Sequence, residues 1–361
     1  MRYSILCLLA CLSLSATVAA QDTDAPYYEG KTVTVVMGLD PSAGGTTVGR
    51  LLARHLEQAL DGDPTVVVRN MPGASLMKAH LYVLMKAPKD GTVIYYGPRS
   101  SIGELLELPG HTFKYSQFEA LGGAQISGLV VYARNDAVAG GMQAPADIVN
   151  AERLLFSGMA ANHGRMIIST LGLRLLGADY TYIAGYPSSG ATRAAVMSGE
   201  TNVSVDAAHA YLNQTAPGFA TDDAGQAVFS VPYLSATGEL VANPLVPDVK
   251  SLPDLYAEIS GEPPSGPVWD AITTLIEIDQ TMQHVFLGPP GMNEDAAATM
   301  RAALAKAFTT DAYRQDAERI LSFVPDPVGY ERAGQILRST ADVSPETLEL
   351  IKAHVDRNSG Y

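Results

Sequence analysis

Residues Lys31–Leu60 constrain the fold more than any other stretch of the chain. They read KTVTVVMGLD, then PSAGG, then TTVGRLLARHLEQAL. Thr32 to Val36 is a β-branched run with no breaker, so a buried strand is expected there. Val48, Leu51, Leu52, His55, Leu56 and Leu60 recur at helical spacing. Pro41, Ser42, Ala43, Gly44 and Gly45 remove side-chain bulk where strand turns into helix, and Thr46 or Thr47 is expected to cap the helix. Such a turn exposes backbone N–H groups at the positive end of a helix, a site suited to a carboxylate or phosphate.

The same unit recurs. Pro64 to Met71 reads as a strand, Ser75 as the cap of a helix through Met85, and Thr92 to Tyr96 as a third strand, with Arg99, Ser100 and Ser101 beyond its carboxyl end. Three such steps predict a parallel sheet. A second set follows. Strands are expected at Ser127–Ala133, Arg153–Phe156, Tyr180–Ala184, Val203–Val205 and Ala227–Leu234, with helices at Met166–Leu176 and Ala191–Met197. Residues 235–265, rich in Pro and Gly, read as loop; Trp269–Met282 and Ala296–Phe308 read as amphipathic helices, and a further helix ends the chain.

The N-terminus has the layout of a secretory signal peptide. Arg2 precedes an apolar run from Ile5 to Val18, and Thr17-Val-Ala-Ala20 resembles a cleavage site, so residues 1–20 are expected to be removed and the chain exported to a periplasm. Leu8-Leu-Ala-Cys11 resembles a lipoprotein box, but the apolar run continues past the cysteine. Both cysteines, Cys7 and Cys11, fall in the signal, so the mature chain has no disulfide and no thiolate ligand. The formal net charge is −14; losing Arg2 and no acid leaves 23 bases against 38 acids, or −15. That balance argues against nucleic acid and anionic membrane surfaces as partners, and an anionic ligand must be captured by local donors.

Catalytic motifs are missing. There is no G-x-S-x-G, H-E-x-x-H or Walker A pattern, and the seven histidines have no second ligand at i+3 or i+4, so no metal or other cofactor is expected. His55 sits on an apolar helix face, and Asp222-Asp223 reads as a solvated turn. What recurs instead is a small polar turn at a strand's carboxyl end: Ser42–Thr46, Ser100-Ser101, Ser157–His163 and Ser188-Ser189. Open α/β sheets bind ligands at such ends.

In order and spacing these stretches resemble the substrate-binding receptors of tripartite tricarboxylate transporters, the Bug family. The family's P-x-P-P-G-G-G-T-D loop compares with Leu39-Asp-Pro-Ser-Ala-Gly-Gly-Thr-Thr47, its V-V-E-N-R-P-G-A with Val66-Val-Val-Arg-Asn-Met-Pro-Gly73, and its P-D-G-Y-T with Pro88-Lys-Asp-Gly-Thr92. Ser157–His163, Tyr186–Asn202 and Leu287-Gly-Pro-Pro-Gly291 match later motifs, and the resemblance spans residues 28–350.

It implies a two-domain periplasmic binding protein of type II, each domain a mixed sheet flanked by helices, joined by two crossing strands with the ligand cleft between. The domains would be 27–132 plus 233–361, and 133–232. The ligand would be a small carboxylate and the partners integral-membrane transporter subunits, the receptor itself a non-catalytic monomer. Asp40, Ser42, Ala43, Gly44, Gly45 and Thr46 would form or flank the first anion loop, with Ser100 and Ser101 beside it, and Arg99 has two readings, a counter-charge for a distal carboxylate or a member of a surface ion pair. Ala161, Asn162, His163, Tyr186 and Ser188 would belong to second-domain turns, and Asp206 would be an acid facing the cleft. Asp40 stands where the family has an uncharged residue, Thr47 where it has Asp, and Ala160-Ala161-Asn162-His163 where it has N-G-T-S. Asp40 and His163 therefore have two readings: contact with a ligand amine or hydroxyl, or a solvated or turn-capping role. Two rivals share parts of this description. An exported hydrolase would use Ser188 or Ser189 with His163 but needs a third group to orient the histidine, which no motif supplies. A sensor read by a membrane kinase would have the same fold.

Overall fold

The computed structural model describes residues 25–235 and 237–360; the expected signal peptide and both cysteines lie outside them. Thirteen strands follow in chain order: β1 Thr32–Met37, β2 Thr65–Asn70, β3 Val93–Pro98, β4 Glu119–Gln125, β5 Leu129–Arg134, β6 Leu154–Ser157, β7 Tyr180–Ile183, β8 Val203–Ala207, β9 Gly225–Val231, β10 Tyr233–Leu234, β11 Leu240–Val241, β12 His284–Gly288 and β13 Asp326–Val328. They build two mixed sheets flanked by helices, as expected, in the orders β13-β4-β12-β3-β1-β2 and β7-β6-β8-β5-β9, with a small β10-β11 ribbon. β1 is parallel to β2 and β3, whereas β12 runs antiparallel to β3 and β4.

The opening unit is strand β1 followed by helix Gly44–Ala59. Val48, Leu51, Leu52, His55, Leu56 and Ala59 form its buried stripe. Gly49 brings it close to the sheet: a Cβ there would overlap the Met37 thioether and lie 2.9 Å from Tyr96. The helix starts earlier than its expected caps. Ala43 holds the cap position without a side-chain bond, and Thr46 is fully buried, its Oγ1 donating to Asp40 O at 2.6 Å. The burial of Thr46 beneath the turn overrides its capping tendency. Ser75 does not cap the next helix either, since Leu76 holds the cap position of Met77–Lys86. Gly73, Ala74, Ser75 and Leu76 have φ of 134°, 48°, 49° and 77°, so the chain enters that helix through a left-handed turn.

Residues 235–265 hold more than loop. Helix Leu252–Ser260 lies within them, capped by Ser251 Oγ, which accepts from Asp254 N, and carrying a proline in its first turn. Leu252 and Leu255 are buried against the second sheet's core. The Pro and Gly content masked a capping signature that the sequence does contain.

Strand β5 hydrogen-bonds only to β8 and β9, so the second unit starts at Leu129 rather than at 133. Helices Leu252–Ser260, Pro267–Leu275 and Pro345–Ser359 also contribute to the second core, through residues such as Leu252, Ile272 and Ile351. Beyond two crossings, near 126–128 and 280–283, the chain therefore passes between the cores again near 340–344, and Ile102 and Leu105 after β3 also pack into the second core. Gln283 laces the first two crossings together: its Oε1 accepts from Ile126 N at 2.8 Å and Ser127 N at 3.2 Å.

Candidate functional site

A cleft of about 870 Å³ lies between the units. The carboxyl ends of β3, β6 and β8 feed it: Pro98–Gly103 follows β3, Ala160 and Asn162–Arg165 follow β6, and Ala207 and His209 end and follow β8. Ala74–Met77 adds a wall from the left-handed turn, and the crossings supply Ile126, Ser127, Asp279, Gln280 and Gln283.

The few charges here are mostly positive. Among the described residues Arg99 and Arg165 are the basic lining residues and Asp279 the acidic one, so the lining carries a formal +1 with histidines neutral, inside a chain of −14. Arg99 is buried. Its guanidinium donates to the carbonyls of Met282, at 3.3 Å, and Ile278, while Nη1 has no protein partner. Burial lowers its pKa and the nearby Asp279 carboxylate works the other way. Arg165 Nη1 donates to Ser189 Oγ at 2.8 Å; burial lowers its pKa, with Asp206 and Asp279 opposing. Asp279 accepts from Ser101 Oγ at 2.5 Å on Oδ1 and from Gln280 Nε2 at 2.7 Å on Oδ2. Its carboxylate lies over Gly164, the first residue of helix Gly164–Leu176, where a Cβ would come within 2.7 Å of Oδ2 and 3.0 Å of Oδ1.

Four histidines line the cleft. His163 is open to cleft water yet hemmed in by protein; desolvation lowers its pKa, Arg165 adds to this and Asp279 opposes it. Desolvation and then Arg165 depress His209, whose Nδ1 bonds Ser127 Oγ at 2.8 Å while its ring stacks on Phe323. His284 is pushed down to about 3 by burial, with Nδ1 2.9 Å from Tyr96 Oη. Burial also lowers His111. These rings present neutral imidazoles near pH 7.

Of the residues singled out from sequence, Arg99, Ser100, Ser101, Asn162 and His163 line the cleft. The first anion loop does not. Asp40, Ser42 and Gly44 are exposed, Ala43 and Gly45 half-buried, and Thr46 sealed, while Leu39 alone of that turn reaches the cleft. Two carbonyls and one hydroxyl of the turn are bonded locally: Asn70 Nδ2 donates to Leu39 O at 2.8 Å and to Thr46 Oγ1 at 3.2 Å, and Arg50 Nη1 donates to Pro41 O at 3.0 Å. Ala161 is buried beside the lining. Tyr186 Oη donates to Glu200 at 2.7 Å, and Ser188 Oγ caps helix Ser189–Met197 by accepting from Ala191 N. Asp206 is fully buried. Arg193 grips it through Nε at 2.8 Å and Nη2 at 3.0 Å, and Thr215 Oγ1 donates to it at 2.6 Å. His55, by contrast, is the core histidine its helix position suggests, 4% exposed and 3.1 Å from Asp316 Oδ2.

Sequence reasoning missed Asp279, Arg165, His209, Ser127 and Gln283. One signal was present for Asp279. Ile276 and Ile278 are both buried, an i,i+2 pair that one face of a regular helix does not accommodate, and the segment Ile276–Gln280 is a π turn. That turn delivers Asp279 to the cleft. Among the described residues no group of three or more His, Cys, Asp and Glu side chains is placed to hold a metal ion.

No protein-family model matches the chain, and no curated protein matches it in sequence. Solved structures do match. A TctC solute-binding protein from Polaromonas is 14% identical with a TM-score of 0.64, the match covering 90% of this chain and 99% of that one. The periplasmic binding protein BugD is 15% identical with a TM-score of 0.59, over 91% and 98%. A Rhodopseudomonas palustris protein solved with adipate is 15% identical with a TM-score of 0.60, over 91% and 97%. The chain thus has the fold of two-domain periplasmic binding proteins.

Proposed function

We propose that this chain is a periplasmic solute receptor of the Bug type. It captures a small carboxylate between its two units and presents the closed form to the membrane subunits of a tripartite tricarboxylate-type transporter. The observation that carries the reading is the pair of guanidiniums, Arg99 and Arg165, in an interdomain cleft of a strongly acidic chain. Arg99 Nη1 has no protein partner and is sealed from solvent at the cleft wall, so a ligand carboxylate reaches it once the wall shifts as the units close. Ser100, Asn162 and His163 supply neutral donors around it. A protein solved with adipate shares the fold, which supports a carboxylate as the ligand class.

The receptor acts without covalent chemistry and as a monomer. Capture proceeds by hinge closure at the crossings laced by Gln283. The hydrolase alternative loses its serines to other work, because Ser188 Oγ caps a helix and Ser189 Oγ accepts from Arg165. Export through a cleaved signal peptide fits a chain in which no described helix is long and apolar enough to cross a membrane.

The test is calorimetric titration and thermal shift of the mature chain with mono-, di- and tricarboxylates. A ligand that binds only the folded state raises the melting temperature by mass action. Arg99→Gln should weaken binding of the best ligand roughly tenfold or more, the effect of removing one charged hydrogen-bond partner. No response to any carboxylate overturns the proposal.

A further inference from the structure

A smaller cavity, of about 310 Å³, lies across the 126–128 crossing from the cleft, with Ile126 and Ser127 as walls common to both. It draws on both units. Val324 packs on the first core, and Tyr233 and Leu245 pack on the cores either side of the second sheet. Its charged lining residues are Glu318, on helix Asp311–Leu321, and Asp326, on β13, with no base among the described residues. No Lys, Arg or His nitrogen lies within 4.0 Å of either carboxylate among the described residues.

Unpaired acids are common on a chain of −14, so two carboxylates alone mark nothing. Two further observations mark this cavity. Asp326 stands opposite Gln125 in the β13–β4 ladder, so both side chains leave the sheet on one face. Gln125 lines the cavity at 5% exposure, and its sealed amide nitrogen has no hydrogen-bond partner. A buried amide left unbonded costs free energy until something completes it, and rotation about one side-chain bond turns either end to an occupant. The second observation is the Asp326 carboxyl. It is open to water on one side yet hemmed in by protein, and burial raises its pKa with no cation to pull it back. Burial raises Glu104 too, but there the Tyr115 N–H and the Arg99 charge oppose it.

The remaining walls are mainly apolar: Ile126, Pro244, Leu245, Phe323 and Val324. A hard metal ion needs a shell of oxygens, which such walls do not supply. An occupant with two ammonium ends and hydrocarbon between them meets both the acids and the walls, and the Tyr233 and Phe323 rings add faces that attract cations. We propose that this cavity is a second ligand site, which takes a small aliphatic diamine, one ammonium on Asp326 and Gln125 and the other on Glu318. The site is separate from the cleft and does not depend on what the cleft binds. Because its walls belong to both units, a bound diamine bridges them as a cleft ligand does.

The experiment is calorimetric titration of the mature chain with putrescine, n-butylamine and calcium chloride at about 0.15 M salt, where the long-range pull of the acidic surface is screened. Asp326→Asn and Glu318→Gln each remove one cavity carboxylate, and Asp222→Asn removes an exposed acid outside it. One putrescine should bind per chain, with n-butylamine roughly tenfold or more weaker, the effect of losing one charged hydrogen-bond partner. Each cavity variant should weaken putrescine by a similar factor, and Asp222→Asn by no more than about twofold. Unchanged melting curves without ligand show that the variants are folded, and Glu318, exposed on its helix, carries the test if Asp326→Asn does not fold. Absence of saturable putrescine binding overturns the inference. So does binding that survives in both cavity variants, binding lost equally in Asp222→Asn, or n-butylamine as tight as putrescine. Calcium binding that needs Asp326, with none of putrescine, makes the cavity a metal site and overturns the inference as well. None of these outcomes bears on the carboxylate reading, which the diacid titrations decide.

Discussion

Asp206 and Asp279 carry the same charge and are treated in opposite ways. Asp206 is sealed, held bidentately by Arg193 and bonded by Thr215. Asp279 is half-open and touches only a hydroxyl and an amide. A buried charge must be neutralised on the spot, whereas one left facing a cleft with spare acceptor capacity is available to a ligand. The family resemblance pointed to Asp206 as the cleft acid. Packing makes Asp206 part of the scaffold and leaves Asp279 to the solvent-filled space.

The sharpest way to break this contrast is to remove each acid. Asp206→Ala strands the Arg193 guanidinium, whose side chain is 14% exposed, and should cost about 3–5 kcal/mol of unfolding free energy by urea titration. Asp279→Asn should move stability by no more than about 0.5 kcal/mol in the same assay. Similar losses in the two variants would end the distinction between the sealed acid and the open one.

Acid titration extends the contrast to histidines. Burial pushes His80 and His284 down to about 3 and His354 to about 4. Each folded pKa lies below the unfolded value near 6.5, so the unfolded chain binds the proton first as pH falls. Their stabilising effect is complete above about pH 6.5 and is lost as pH drops toward 4 and then 3. At pH 5.5 each should cost about 1.4 kcal/mol, and the three together about 4 kcal/mol relative to pH 7.5. A urea midpoint flat between pH 7.5 and 5.5 would contradict the sealed, neutral state of these rings.

Glycines at two equivalent strand-to-helix turns give a smaller effect. Gly164→Ala drives a methyl against the Asp279 carboxylate, which has to shift, at a cost of about 1–3 kcal/mol and with weakened ligand binding. Gly44→Ala meets nothing within 4 Å and should leave both stability and affinity within about 0.5 kcal/mol. Loss of binding in Gly44→Ala would put the 42–46 loop back into the site.

Most of the fold was legible because its strands are β-branched runs and its helices carry periodic stripes, as in Thr32–Met37 and the Val48–Ala59 face. The part of the site that lies just beyond strand ends was legible for the same reason: Arg99 and Ser101 after β3, Asn162 and His163 after β6. The turn at 40–46 carries the same signature and stays out of the cleft, with Thr46 and Arg50 bonded to its Asp40 and Pro41 carbonyls. A local pattern marks a turn as able to bind and does not show whether the fold aims it at the cleft. Gln283 and Ser127 were illegible because they reach the cleft through crossings between units, a property of topology rather than of neighbouring residues.

The small positive lining of the cleft inside an acidic shell also sets how fast a ligand arrives. An anion approaching from bulk first meets the repulsion of the whole chain and feels Arg99 and Arg165 only at close range. Low ionic strength lets the repulsion reach far; near 0.15 M the screening length of about 8 Å silences it while leaving contacts inside the cleft largely intact. Association should therefore quicken as salt is added up to about that concentration and slow beyond it, the reverse of the usual behaviour of electrostatically steered encounters.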